Sequence, residues 1–165
     1  MGRLSPRALG GLIGLVGLAL DQASKLWLIF GFRLEERGSV RLTPFFDLVM
    51  AWNPGISYSL FSASSDAGRY ALLGVQLAAI AFLSVWLWRA RTRMTAIGLG
   101  MIVGSALGNA YDRFAYGAVA DFAHFHIGDF SWYIFNIADV GIVVGVALLL
   151  YESFFVREEP DAAQA

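Results

Sequence analysis

Four long apolar stretches, at about 8–30, 68–88, 94–111 and 135–156, restrict this chain to one solvent and one kind of backbone. Each approaches the roughly 20 apolar residues that cross a bilayer as an α-helix. Hydrocarbon offers a backbone N–H or C=O no partner outside its own segment, so each stretch must be helical. The composition agrees: 58% of the 165 residues are hydrophobic and 15% are charged, against roughly 45–50% apolar residues in a soluble domain, and the mean hydropathy is +0.61.

The first stretch follows Arg3 and Arg7, the layout of a signal peptide over Ala8 to Leu20. Its apolar pattern resumes through Ala23, Leu26, Trp27, Leu28, Ile29 and Phe30 without a small-x-small cleavage site, so it is expected to stay as an anchor. Arg3 and Arg7 precede the first helix, Arg89, Arg91 and Arg93 crowd the link between the second and third, and Arg157 follows the fourth. The bias of basic residues then puts both termini and that link in the cytoplasm. The loop 31–67 carries Arg33, Arg37 and Arg41, but it is longer and also holds Glu35, Glu36, Asp47 and Asp66, which suits a small outer domain. Alternation leaves 112–134 outside as well. The chain therefore reads as one integral-membrane domain over 1–156, followed by a disordered cytoplasmic tail, 157–165.

Two function classes drop out. There is no cysteine, hence no thiolate nucleophile and no disulfide. A net charge of −1, with no basic patch beyond the topology arginines, gives no nucleic-acid signal.

Glycines recur every fourth residue at Gly100, Gly104 and Gly108 on the third helix, at Gly141 and Gly145 on the fourth, and at Gly10 and Gly14 on the first. Such spacing lets helix backbones approach closely in lipid, so a tight bundle is expected.

Against this background the carboxylates Asp121 and Asp139 stand out, one on each side of the entry to the last apolar segment. An ionisable group near hydrocarbon costs about 2.5–3.5 kcal/mol on insertion scales and calls for a function. Other polar residues cluster around them by helical spacing. Asp21 and Lys25 are four apart on the first helix, with the acid first, either a self-neutralising pair that ends the helix at the interface or a support for a site. Asn109, Asp112 and Arg113 share a face at the end of the third helix, where an arginine can hold an acid or a phosphate. Asn136 and Asp139 share a face at the start of the fourth.

The outer loops have strand-like content. Residues 43–61 are broken by Asn53-Pro54-Gly55, which signals a turn between two short strands, an outer β-ribbon able to cradle an extended peptide. Residues 116–126 read as a short extended segment in an ordered loop, on which His124 and His126 share a face. Two histidines make an incomplete metal shell, and their aromatic neighbours, with Trp132 and Tyr133, suit an interfacial belt. The expected fold class is thus an all-α membrane protein: four transmembrane helices, a small extracytoplasmic β-rich cradle between the first two, and a short ordered loop between the last two.

On the residues alone, three readings of Asp121 and Asp139 stand side by side: an acid/base pair for hydrolysis, a proton- or ion-coupled transporter, or a structural role in which Asp139 caps the fourth helix and Asp121 pairs with Arg113.

The order Asp21-Gln22-x-x-Lys25, Asn53-x-Gly55, Gly108-Asn109-x-x-Asp112-Arg113, Tyr116-Gly117-x-Val119-x-Asp121-Phe122 and Phe135-Asn136-x-Ala138-Asp139 resembles bacterial lipoprotein signal peptidase, or signal peptidase II, over about 21–139. The resemblance implies an aspartyl endopeptidase of the bacterial inner membrane. Such an enzyme removes the signal peptide of a prolipoprotein on the amino side of a diacylglyceryl-modified cysteine. It makes Asp121 and Asp139 the catalytic pair, puts Asn53, Gly55, Asn109, Arg113 and Asn136 at the substrate site, and gives Asp21, Lys25 and Asp112 supporting positions. Alternation of the helices puts Asp121 and Asp139 near the outer face; no metal and no cofactor are expected, the partners implied are prolipoproteins and membrane lipids, and the protein is expected to be a monomer. One departure is visible: where the family usually has small residues and Phe after Asn53-x-Gly55, this chain has Ile56, Ser57 and Tyr58.

Overall fold

A computed structural model describes residues 4–55 and 66–155. Arg3, Arg157, the 157–165 tail, Ile56, Ser57, Tyr58 and any strand following Asn53-Pro54-Gly55 lie outside the described residues.

Four helices are long and apolar enough to cross a membrane: Pro6–Gly31, Ala67–Trp88, Arg93–Tyr116 and Ile137–Phe155. The first is α1 (Pro6–Leu26), prolonged by a π-helical turn over Trp27–Gly31. Ser5 caps its start and Pro6 occupies the first turn, where the missing N–H costs nothing. After a one-turn helix, α2 (Leu34–Arg37), the chain runs through β1 (Val40–Thr43) and β2 (Phe46–Asn53). Then come α3 (Asp66–Trp88), α4 (Arg93–Tyr116), β3 (Val119–Ile127), β4 (Phe130–Ser131) and α5 (Ile137–Phe155). Thr92 caps the start of α4, and Gly117, at φ +82°, closes its end by donating its N–H to the Arg113 carbonyl.

α4 is the hub of the bundle. Of its apolar window 56% is buried inside the protein, against 22% for the first span and 11% for each of the other two, which show their side chains outward. Val75, Phe82 and Phe154 are each about 70% exposed or more, the outward hydrophobicity of a surface solvated by lipid. The glycines explain how α4 takes neighbours on both sides. A Cβ placed on Gly14 would lie 2.9 Å from the Gly100 carbonyl oxygen, one on Gly98 2.9 Å from that of Gly145, and one on Gly104 would overlap the Gly14 carbonyl. Gly17 meets nothing. Gly104→Val is therefore expected to destabilise the protein by about 1–3 kcal/mol through forced separation of α1 and α4, whereas Gly17→Ala leaves it unharmed. Thermal unfolding in detergent checks both, and equal behaviour of the two variants would refute the close packing.

Beyond the helices, the fold is not purely all-α. The four strands form one antiparallel sheet in the order β1-β2-β3-β4. The segment between α4 and α5 is therefore more than an ordered loop: β3 runs for nine residues and pairs with β2 from Phe46↔Phe125 to Asn53↔Val119. Asn53-Pro54-Gly55 ends β2, and the tight turns within the described residues are at Pro44-Phe45, between β1 and β2, and at Gly128-Asp129, between β3 and β4; the first begins with a proline. Proline suits that place because it has no N–H to give a ladder. The sheet packs through Phe46, Leu48, Phe122 and Ala123 on Leu28 and Leu34, at the end of the first span.

The two ends of the bundle differ. The Arg7 guanidinium lies 4.9 Å from the Trp88 ring centroid, next to Arg89, Arg91 and Arg93, and Glu152 accepts hydrogen bonds from Thr92 and Thr95 at this same end. The sheet and both aspartates lie at the other.

Candidate active site

Asp139 is placed by helix capping. Asn136 precedes α5, its side-chain oxygen accepts the Asp139 N–H at 3.0 Å, and the Asp139 carboxylate accepts the Asn136 N–H at 3.1 Å. This reciprocal arrangement has the logic of a capping box. The cap leaves the other Asp139 oxygen, Oδ1, to accept from Asn109 Nδ2 at 3.3 Å. Asp121 comes from β3, opposite Ala51 of β2, with only 4% of its surface exposed. Its Oδ1 accepts from Asn136 Nδ2 at 2.6 Å and its Oδ2 from Asn53 Nδ2 at 3.2 Å. One asparagine thus touches both acids.

Behind them lies a buried charge cluster. Lys25 Nζ donates to Asp21 and Asp112, both at 2.8 Å, and to Asn109 Oδ1 at 2.9 Å, with all three charged side chains 1% exposed or less. The two carboxylates of the cluster also reach the backbone beside the pair. Asp112 Oδ2 accepts the Ala120 N–H at 3.2 Å, and Asp21 Oδ1 accepts the Ala138 N–H at 3.1 Å. Ala120 precedes Asp121 and Ala138 precedes Asp139, so one cation, through two carboxylates, holds the main chain of both acids. Gln22 Nε2 joins Asp21, Asp112 and the Gly108 carbonyl. The Asp21–Lys25 pair accordingly does more than neutralise itself at an interface: the lysine is shared with Asp112 of α4.

The electrostatics separate the two acids by environment. Burial pushes the Asp121 carboxyl up from 3.8 to about 6, helped by the charge of Asp139 and opposed by the amide donors of Asn136 and Asn53 and by the charge of Lys25. Asp139 is half-buried and borders a cleft of about 280 Å³ lined otherwise by Trp132, Tyr133, Phe135, Val140, Val143 and Val144. The three valines recur along one face of α5 and are 39–61% exposed, so the cleft is open on the lipid side.

Arg113 does not pair with Asp121. Its Nη2 donates to the Gly55 carbonyl at 2.8 Å and its Nη1 to Gln76 Oε1 at 3.1 Å. Asn109 and Asp112 turn inward to Lys25, while Arg113, one residue on, turns toward α3.

Comparison with known proteins identifies the family. The sequence pattern of the family described as Signal peptidase (SPase) II matches residues 13–155, which include both aspartates and the whole charge cluster. The chain belongs to the signal peptidase II family. The lipoprotein signal peptidase of Methylocella silvestris is 61% identical over 152 residues, covering 92% of this chain and 89% of that one. The lipoprotein signal peptidase of Beijerinckia indica is 59% identical, over 94% and 93%. A bacterial membrane enzyme solved by the in meso method at 2.3 Å shares the fold, with a TM-score of 0.73 over 93% of this chain and 94% of that one, at 23% identity. The chain is a multi-pass membrane protein of this protease family.

In this member of signal peptidase II, the motif residues Asp21, Lys25, Asn53, Asn109, Asp112, Asp121, Asn136 and Asp139 all fall within one hydrogen-bonded network, with Gly55 tied to it by its N–H on Asn53 Oδ1 at 3.1 Å. His124 and His126 do share a face of β3, their ring centroids 5.3 Å apart, but they serve the sheet: His124 Nε2 meets Ser131 Oγ at 2.7 Å and His126 Nε2 meets Asp47 at 3.2 Å. Among the described residues no group of three His, Cys, Asp or Glu side chains is placed to hold a metal. Trp132 and Tyr133, read as belt residues, border the cleft. Sequence reasoning overlooked Gln76 and Arg69. The signal for Gln76 was present, a lone amide in the apolar run from Tyr70 to Val85 that otherwise holds only Ser84 as a polar interior residue.

Proposed function

We propose that this chain is an aspartyl endopeptidase that removes the signal peptide of prolipoproteins on the amino side of a diacylglyceryl-modified cysteine. The observation that carries the reading is that Asp121 and Asp139, from a strand and a helix far apart in sequence, meet on one asparagine at the edge of a lipid-facing cleft. Asp139 borders the cleft and Asp121 is the acid whose ionisation burial opposes, so Asp139 is the base and Asp121 carries the shared proton. Water attacks the scissile carbonyl carbon as Asp139 takes its proton, while Asp121 hydrogen-bonds the carbonyl oxygen. Collapse of the tetrahedral species breaks the C–N bond and passes a proton to the amine of the lipidated cysteine. The signal peptide leaves with a new carboxyl group.

The acyl chains of the substrate already lie in lipid, so burying them adds little binding energy. Their effect is placement: they hold the scissile bond at the depth of the pair, which is an effect of orientation. The arginine-rich end of the bundle faces the cytoplasm under the bias of basic residues, and the pair then faces the outer leaflet of the inner membrane. Ion-coupled transport has no footing in the relatives named above, which are lipoprotein signal peptidases.

Initial rates for purified protein on lipidated and unmodified prolipoprotein test this reading. Only the lipidated substrate is expected to be cleaved rapidly. Its kcat/KM falls as pH rises through an apparent value near 6, because the shared proton is then lost. Equal rates on the two substrates, or a rate that climbs through that range, would overturn the proposal.

A further inference from the structure

Gln76 sits in the middle of a membrane-spanning helix, where an amide is tolerated only if both its ends are satisfied. Both are. Its Nε2 donates to the Ala106 carbonyl of α4 at 2.9 Å, and its Oε1 accepts from Arg113 Nη1 at 3.1 Å. The other tooth of that planar fork, Nη2, donates to the Gly55 carbonyl at 2.8 Å. Without Gln76 the guanidinium keeps Gly55 and a 3.4 Å contact to the Asn109 carbonyl of its own helical turn, and among the described residues no other α3 side chain hydrogen-bonds to it. From Gly55 the chain of contacts continues: its N–H donates to Asn53 Oδ1 at 3.1 Å, and Asn53 Nδ2 donates to Asp121 Oδ2 at 3.2 Å. Two turns earlier on α3, Arg69 donates to the main-chain carbonyls of Arg113 and Phe114 at 2.9 and 2.6 Å. Thus α3 grips Arg113 by both its backbone and its side chain.

We propose that Gln76 is a positioning residue for the peptidase reaction: it sets the plane of the Arg113 fork, and through Gly55 and Asn53 the orientation of the Asp121 carboxyl. The inference rests on the assignment of Asp121 and Asp139 as the reacting pair. It gives α3 a task in catalysis that the motif residues do not include.

The test uses the purified full-length chain and the lipidated substrate. Gln76→Met keeps length and inserts readily, and is expected to lower kcat about tenfold, as misplacement of a reacting group does, with KM little changed. Gln76→Glu keeps an acceptor for Arg113 and is expected to retain more of kcat than the methionine variant. Coupling separates positioning from general stability. If Gln76 acts through Asn53, the double variant Asn53→Ala with Gln76→Met is no slower than Asn53→Ala alone. Infrared titration of the Asp121 carboxyl should also move upward in Gln76→Met and in Asn53→Ala, because the amide donor that favours its ionised form is misaligned in the first and absent in the second. A wild-type kcat for Gln76→Met, multiplicative losses in the double variant, or a glutamate variant slower than the methionine one would overturn the inference. Asp121→Asn in the same assay separates the two levels: turnover by it removes the reacting pair itself, whereas an inactive Asp121→Asn beside a fully active Gln76→Met refutes the role of Gln76 alone.

Discussion

Asp121→Asn and Asp139→Asn are each expected to lower the rate of prolipoprotein cleavage by about two to four orders of magnitude, the range that positioned acid/base groups supply, with a protein that still inserts and folds. The amide keeps nearly the volume of the acid but can neither take a proton from water nor share one. Stability supplies an internal control at Asp121. Its folded value of about 6 lies above the ordinary 3.8, so the folded state binds the extra proton. The resulting stabilisation is full below 3.8 and is lost as pH rises through 6. As pH rises above about 6 a growing share of the wild type therefore carries an unfavourable buried charge, and Asp121→Asn removes it. That gain offsets the conflict between the new NH₂ and the Asn53 amide, which now faces a donor. Melting temperature at pH 7 to 8 is expected to hold or rise in Asp121→Asn while cleavage disappears. Turnover close to wild type in either variant would end the case for an aspartyl mechanism.

Lys25→Met is expected to show the opposite signature, a large loss of stability together with activity. The ammonium lies between two carboxylates in a region 1% exposed or less. Removing it leaves two like charges buried with no cation between them, and breaking a buried pair in this way costs about 3–5 kcal/mol. The damage is expected to spread to Asp121 and Asp139, because Asp21 and Asp112 hold the N–H groups of Ala138 and Ala120. Neutralising the cluster as a whole, by Lys25→Met with Asp21→Asn and Asp112→Asn, is expected to recover much of the melting temperature but not the rate. Unfolding in detergent and initial rates on one set of preparations decide the matter. A Lys25→Met protein that melts with the wild type would show the cluster to be solvated.

Everything dictated by local rules was legible in the chain. Lipid forces each long apolar run into a helix, so the four spans could be placed to within a few residues, except at the end of α4, which runs on to Tyr116 because Gly117 supplies the left-handed cap. The spacing of Asn136 and Asp139 already implied a shared helix face, and the order of the motifs already pointed to the family. What sequence spacing could not supply were partners distant along the chain. β2 and β3 are separated by all of α3 and α4, and their ladder exists because the bundle brings both strand edges to one end, turning an expected cradle and a separate loop into a single sheet. Lys25 has Asp21 four residues away, but its second acid, Asp112, and the amide of Asn109 arrive only because the glycines of α1 and α4 let those helices touch. Arg113 offered an acid as the obvious partner, yet its position on the face toward α3 gave it an amide and a carbonyl instead. A residue's type and spacing determine which bonds it is able to make; close approach of distant helices decided which of them this protein makes.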